Sequence, residues 1–187
     1  GMVWKVLNTL QIDNVPEARE AFHGVSEIHT LPADRDKVLA CIGDYDSYMA
    51  AVEIRVDEEF LSRADNLKLI GSPHTGQDHL DLACIKSRGI ELFTISKEYE
   101  LLSGFTATSE LAFALLLSLI RRLPQARESA NNGVWSRETY TGFQLYNKTM
   151  GILGLGRLGK ISARIAQGFG MNVLAHDIVD QEVDGVE

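Results

Sequence analysis

Residues 149–177, TMGILGLGRLGKISARIAQGFGMNVLAHD, leave the backbone few choices. An apolar run, Thr149–Leu153, ends in Gly154-Leu155-Gly156-Arg157-Leu158-Gly159. An amphipathic stretch then runs to about Phe169, Gly170 stops it, and a second apolar run, Met171–His176, ends at Asp177. The pattern predicts strand, tight turn, helix and strand. Each glycine meets a steric demand: Gly154 lets the chain turn off the strand, Gly156 lets backbone approach a pyrophosphate, and Gly159 lets helix and strand pack closely. Amides around Arg157 and Leu158, at the positive end of the helix, suit phosphate oxygens. Asp177 follows Gly159 by 18 residues. A carboxylate there accepts both ribose hydroxyls and repels a 2′-phosphate, which favours NAD over NADP. The motif alone is weak, but its flanking strands, helix and acid make it specific. A methyltransferase glycine turn is the alternative, disfavoured by the third glycine and by the half that precedes it.

That first half alternates two periodicities. Strand-like segments (VWKVLNTL, VSEIHTL, SYMAAVE, LKLIGSP, IELFTI) are interleaved with helix-like ones (VPEAREAF, DRDKVLACI, DEEFLSRA, LACIKSRG). Asn14 is the expected cap of the first helix, with Pro16 in its first turn, and Asp57 that of the third; Gly89 closes the fourth. Alternation at this spacing predicts a parallel sheet with helices on both faces. Residues 96–107 break the rhythm and read as a crossing loop. Residues 108–123, TSELAFALLLSLIRRL, predict a long helix capped by Thr108 or Ser109 and apolar nearly all round. Such a helix is expected to be buried, either with one face against another subunit or as an internal core helix. Residues 125–147 read as a polar helix and an irregular stretch anchored by Trp135 and Tyr140.

The net charge of −8 argues against a nucleic-acid partner. The whole acidic excess lies in the first hundred residues, and the neutral remainder suits an anionic ligand. Gly1-Met2 reads as a cleavage scar. The longest apolar run, Leu111–Ile120, is far shorter than a membrane span, and with no signal segment a cytoplasmic protein is expected. Cys41 and Cys84 read as reduced, buried thiols. In SPHTGQDHLD (72–81) a strand ends in a turn holding Thr75-Gly76, whose amides suit a small carboxylate. His74, Asp78, His79 and Asp81 crowd there, but turn and cap roles explain them better than a metal does. His23, His29 and His176 show no evident partners and read as structural.

Three stretches, NLKLIGSPHTGQDHLDLACIKSRGI, ATSELAFALLLSLIRRLPQA and GFQLYNKTMGILGLGRLGKISARIAQGFGMNVLAHD, together with the opening strand–helix alternation, resemble the D-isomer-specific 2-hydroxyacid dehydrogenases over essentially the whole chain. The resemblance implies an α/β protein: a flavodoxin-like parallel-sheet substrate domain, residues 1–105, then the first part of a Rossmann NAD-binding domain, 106–187. It implies that Thr75 and Gly76 hold the carboxylate of a small 2-oxo or 2-hydroxy acid. Thr108 matches a position near the nicotinamide, Arg157 and Leu158 the dipeptide on the pyrophosphate, and Asp177 the ribose-binding acid. Helix 108–123 matches one used in a homodimer interface.

The sequence also departs from the family pattern. Ala51-Val52 stands where many members have Arg-Ser, which counts against phosphorylated substrates. The linker SKEYELLSGFTATSE is longer than the commonest form. The family's catalytic Arg, Glu and His, expected beyond residue 187, have no counterpart here. The expectation is therefore a truncated piece of a dehydrogenase, inactive by itself, with an unpaired sheet edge that promotes association. The alternative is a natural short NAD-binding or regulatory module without enzymatic activity.

Overall fold

A computed structural model describes residues 3–136 and 138–187; the cleavage-scar reading of Gly1-Met2 lies outside them. Two compact units divide between Leu102 and Ser103.

The first unit is a five-stranded, wholly parallel sheet. Strands β1 (Trp4–Asn8), β2 (Ser26–Thr30), β3 (Ser47–Met49), β4 (Leu69–Ser72) and β5 (Glu91–Thr94) lie in the order β2-β1-β3-β4-β5. The connections carry helices α1 (Pro16–Glu20), α2 (Arg35–Cys41), α3 (Glu58–Ser62) and α4 (Leu82–Ser87). The inner strands are buried in near-continuous runs, Val6 to Asn8 on β1 and Ile70 to Ser72 on β4, as both-face coverage requires. The outer strands β2 and β5 keep polar, exposed positions. Leu7, Val38, Ile42, Tyr48, Phe60 and Ile70 form the centre of the core, with the Tyr48 and Phe60 rings 5.1 Å apart.

Local chemistry sets the helix starts. Asp34 accepts the amides of Asp36 and Lys37, and Asp57 that of Phe60. Asn14 does not cap α1. Pro16 takes the first helical position, so Val15 is the N-cap and Asn14 lies one residue too early. The expected crossing loop at 96–107 contains a short helix, α5 (Tyr99–Ser103). The thiols of Cys41 and Cys84 are free but only half-buried. His29, expected to lack partners, lies 2.9 Å from both the Tyr45 hydroxyl and Glu27.

The second unit holds α6 (Ala107–Ile120), α7 (Leu123–Asn131), β6 (Thr149–Leu153), α8 (Arg157–Gly168) and β7 (Asn172–His176). Strands β6 and β7 pair in parallel. Val173 of β7 forms a parallel bridge to Val186, and the Glu187 amide donates to the Val173 carbonyl at 3.0 Å. The edge expected to stand open after Asp177 is thus partly paired, in the 3-2-1 order of a Rossmann half. Phe113, Leu145, Ala163, Ala166, Met171 and Val173 form the core.

The helix expected over 108–123 ends at Ile120, and the polar helix expected from 125 begins at Leu123. Arg122 adopts a left-handed φ of 54°, which ends α6, and Pro124 enters the first turn of α7. The Ile120 carbonyl accepts the Phe143 amide instead of continuing the helix. Thr106, not Thr108 or Ser109, is the N-cap, and its hydroxyl meets the Glu110 carboxylate. Nor is α6 buried all round: only Ser109 and Phe113 are, while Leu111, Leu115 and Leu119 are 60–75% exposed along one face. Residues Tyr99–Ile120 have the length and composition of a membrane span. They form two helices, however, and the 14 residues of α6 reach only about 21 Å against a hydrocarbon core of about 30 Å. Trp135, expected as a loop anchor, is 88% exposed. Arg122 holds that loop, donating to the Thr139 carbonyl and stacking on Tyr140.

Candidate functional site

The strand order of the first unit reverses direction between β1 and β3. In open α/β sheets ligands bind outside the carboxyl ends of the strands at such a switch point. A cleft of about 600 Å³ lies there, lined by residues that follow β1, β2, β3 and β4. Its walls are pinned from within the sheet. The Thr9 hydroxyl donates to the Met49 carbonyl at 2.8 Å and accepts the Ala51 amide at 3.1 Å. Buried Asn8 donates to the Leu10 carbonyl and to Thr30, and accepts the Leu10 amide. Neither residue carries a motif, so the sequence offered no sign of these roles.

The Thr75–Gly76 turn leaves the end of β4. Both residues are exposed, and a Cβ at Gly76 would meet nothing within 4 Å. Gln77 fastens the far side of the turn, donating to Thr94 at 3.0 Å and Ser96 at 2.9 Å. His74, just before the turn, lines the cleft. Its Nε2, the Nε2 of His79 and the Ser72 hydroxyl are buried with no hydrogen-bond partner among the described residues. Burial, and then the nearby His74 ring, push the His79 imidazole below its ordinary range, which favours a neutral ring. Asp81 caps α4 through the Cys84 amide, the cap role its position suggested. No cluster of three metal-ligating side chains occurs among the described residues.

In the second unit the glycine turn has the geometry its spacing requires. Gly154 has φ +91°, which disfavours any residue with a Cβ. A Cβ on Gly159 would lie 2.1 Å from the Gly154 carbonyl oxygen, so this glycine sets the contact between α8 and β6. Gly156 differs: it is the N-cap of α8, and its Cβ position opens onto empty space. Gly156, as N-cap, brings no side chain to the start of α8, which leaves space there for an external acceptor.

Asp177, at the end of β7, accepts the Leu155 amide and, at 3.0 Å, the Val179 amide. These backbone bonds, Val179 first, hold its carboxyl below the usual range. Gln181 grips the same residue from its other side, donating to the Leu155 carbonyl at 2.9 Å. Arg157 donates to the Phe105 carbonyl. Thr108 is exposed in the first turn of α6. Buried Ser109 beside it donates to the Leu158 carbonyl at 3.2 Å and accepts the Ser162 hydroxyl at 3.1 Å. Ser109 thereby ties α6 to the start of α8. The sequence marked it only as a potential cap, and nothing marked Gln181.

The chain matches the family described as D-isomer specific 2-hydroxyacid dehydrogenase, its catalytic domain over residues 6–100 and its NAD binding domain over residues 113–187. It is 35% identical to a D-3-phosphoglycerate dehydrogenase of Archaeoglobus fulgidus over 144 residues, covering 76% of this chain and 26% of the relative. A D-3-phosphoglycerate dehydrogenase of Methanocaldococcus jannaschii is 31% identical over 143 residues, with 76% and 26% covered. The chain thus spans about a quarter of the length of these relatives. Among solved structures, the TT0316 protein from Thermus thermophilus superposes with a TM-score of 0.80 at 29% identity, covering 96% of this chain and 58% of that one. A D-lactate dehydrogenase from Aquifex aeolicus, complexed with NAD and lactic acid, gives 0.77 at 25% identity, with 95% and 52% covered.

Proposed function

The chain belongs to the D-isomer-specific 2-hydroxyacid dehydrogenase family, and from that premise we propose that it is part of an NAD-dependent oxidoreductase interconverting a 2-oxo acid and a D-2-hydroxy acid. The observation that carries the reading is the glycine turn. Gly154 takes a positive φ that suits glycine alone, Gly159 is packed against its carbonyl, and Asp177 is bonded to the turn's backbone.

In this reading the substrate domain occupies 1–105 and the NAD-binding part 106–187. Gly154, Gly156, Gly159, Arg157 and Leu158 cradle the pyrophosphate, Asp177 takes the adenosine ribose, and Thr108 faces the nicotinamide end. NAD, the family's cofactor, supplies hydride chemistry when bound. The amides of Thr75 and Gly76 hold the substrate carboxylate. The exposed leucine face of α6 seats a second subunit, and the protein works in the cytoplasm.

No residue of this chain matches the Arg, Glu and His that the resemblance assigns to substrate gripping and proton transfer. Without a positioned acid/base the hydroxyl proton has no partner. The 187-residue chain by itself is therefore expected to show no turnover.

Calorimetric titration with NAD and NADP tests the binding half. Binding of NAD, weaker binding of NADP, and loss of that preference in Asp177→Ala are expected. Equal affinity for both cofactors in the unsubstituted chain would remove the role given to Asp177.

A further inference from the structure

The cleft at the carboxyl end of the five-stranded sheet has a charge pattern that the reaction alone does not explain. Among the described residues its ionisable lining is Asp13, Glu53 and His74, with neither lysine nor arginine. Asp13 meets Arg19 only across an exposed 3.8 Å pair. Glu53 has no ion pair among the described residues. Ala51 and Val52, just before Glu53, add no charged side chain to the lining. His74 adds a buried Nε2 with no hydrogen-bond partner among the described residues. A pocket so lined favours a hydrogen-bond donor, which a carboxylate accepts with charge assistance. A phosphate or second carboxylate would meet like charge with no lysine or arginine in the described lining to offset it.

We propose that this cleft seats the side chain of a 2-oxo or 2-hydroxy acid whose far end is an uncharged or cationic hydrogen-bond donor, with Glu53 as the residue that excludes a second anion. The assignment rests on reading Thr75 and Gly76 as the carboxylate-holding turn. His74 immediately precedes that turn and lines the cleft, so the two ends of one small acid fall to neighbouring parts of a single loop.

The test uses two nearly isosteric probes, D-2-hydroxyglutarate and its 5-amide, titrated into the 15N-labelled 187-residue chain. Amide shifts of Thr75 and Gly76 report the shared carboxylate end; the His74 ring and the Glu53 amide report the far end. The amide probe is expected to bind about tenfold more tightly than the dianion, the scale of one unpaired like charge near a protein surface. Glu53→Gln, an exposed isosteric change, is expected to abolish that difference while leaving the fold intact.

Dianion binding as tight as the amide's, or a preference that survives Glu53→Gln, overturns the role of Glu53 and leaves the carboxylate turn standing. Shifts at Thr75 and Gly76 with none at His74 or Glu53 overturn the cleft assignment alone. Silence at Thr75 and Gly76 with both probes overturns the inference and the reading of the turn beneath it.

Discussion

Gly156 and Gly159 stand three residues apart in one motif, yet they serve different ends. A methyl group on Gly159 would strike the Gly154 carbonyl, whereas one on Gly156 would enter open space. Gly159→Ala is therefore expected to destabilise the second unit by about 1–3 kcal/mol, the usual cost of overpacking. Gly156→Ala is expected to cost no more than about 1 kcal/mol, that of alanine at an N-cap, while weakening NAD binding at least tenfold by obstructing the pyrophosphate. Urea unfolding and calorimetry on the two variants separate the effects; equal losses of stability would contradict the geometry. Leu155 lies between the two functions. Asp177 holds its amide and Gln181 its carbonyl, so Gln181→Ala is expected to loosen the turn and lower NAD affinity without touching the proposed ribose acceptor. Unchanged affinity in that variant would reduce Gln181 to a surface contact.

At the scale of elements, α3 shows how one side chain starts a helix and joins it to its surroundings. Asp57 accepts the Phe60 amide and pairs with Arg35 at 2.8 Å; Arg35 also reaches Glu59 and the Arg55 carbonyl. The Arg35 bond first, and the Phe60 amide next, hold the Asp57 carboxyl below its ordinary range. A depressed folded-state pKa means this contribution is complete above the unfolded value, about 3.9, and fades as pH falls through the lower folded one. Asp57→Ala is expected to cost about 1–2 kcal/mol near neutrality, chiefly through the lost cap. That deficit should narrow once the pH drops below about 4. Denaturant midpoints at pH 7 and pH 3 check both; a deficit independent of pH would mean the carboxylate charge contributes nothing. Helix α6 gives the opposite case. Its all-round apolar composition predicted burial, but Leu111, Leu115 and Leu119, four residues apart, project together from one side.

At the scale of the whole molecule, that leucine face is the proposed seat of a second subunit. The chain is expected to be dimeric in light scattering at micromolar concentration, and Leu115→Glu to shift it towards monomer. A monomer at every concentration would remove α6 from the interface. Local patterns made much of this molecule legible. The parallel sheet followed from alternating periodicities, the caps at Asp57 and Asp81 from their position before apolar runs, and the glycine turn from spacing that only a few backbone paths satisfy. These readings succeed because their causes lie within a few residues of one another. Apart from cap positions missed by one or two residues at Asn14 and Thr108, the main misreadings concern partners distant along the chain. His29 meets Tyr45, Ile120 ends its helix on Phe143, and Ser109 reaches Leu158. Likewise, the cleft draws its walls from the ends of four strands, and its acidic lining emerges only when Asp13, Glu53 and His74 are brought together by the strand order. Sequence alone thus determined the architecture and the glycine turn, because propensity and steric fit act over short spans. Tertiary structure decided what the helices bury and which charges share the cleft, because those depend on contacts that no local pattern encodes.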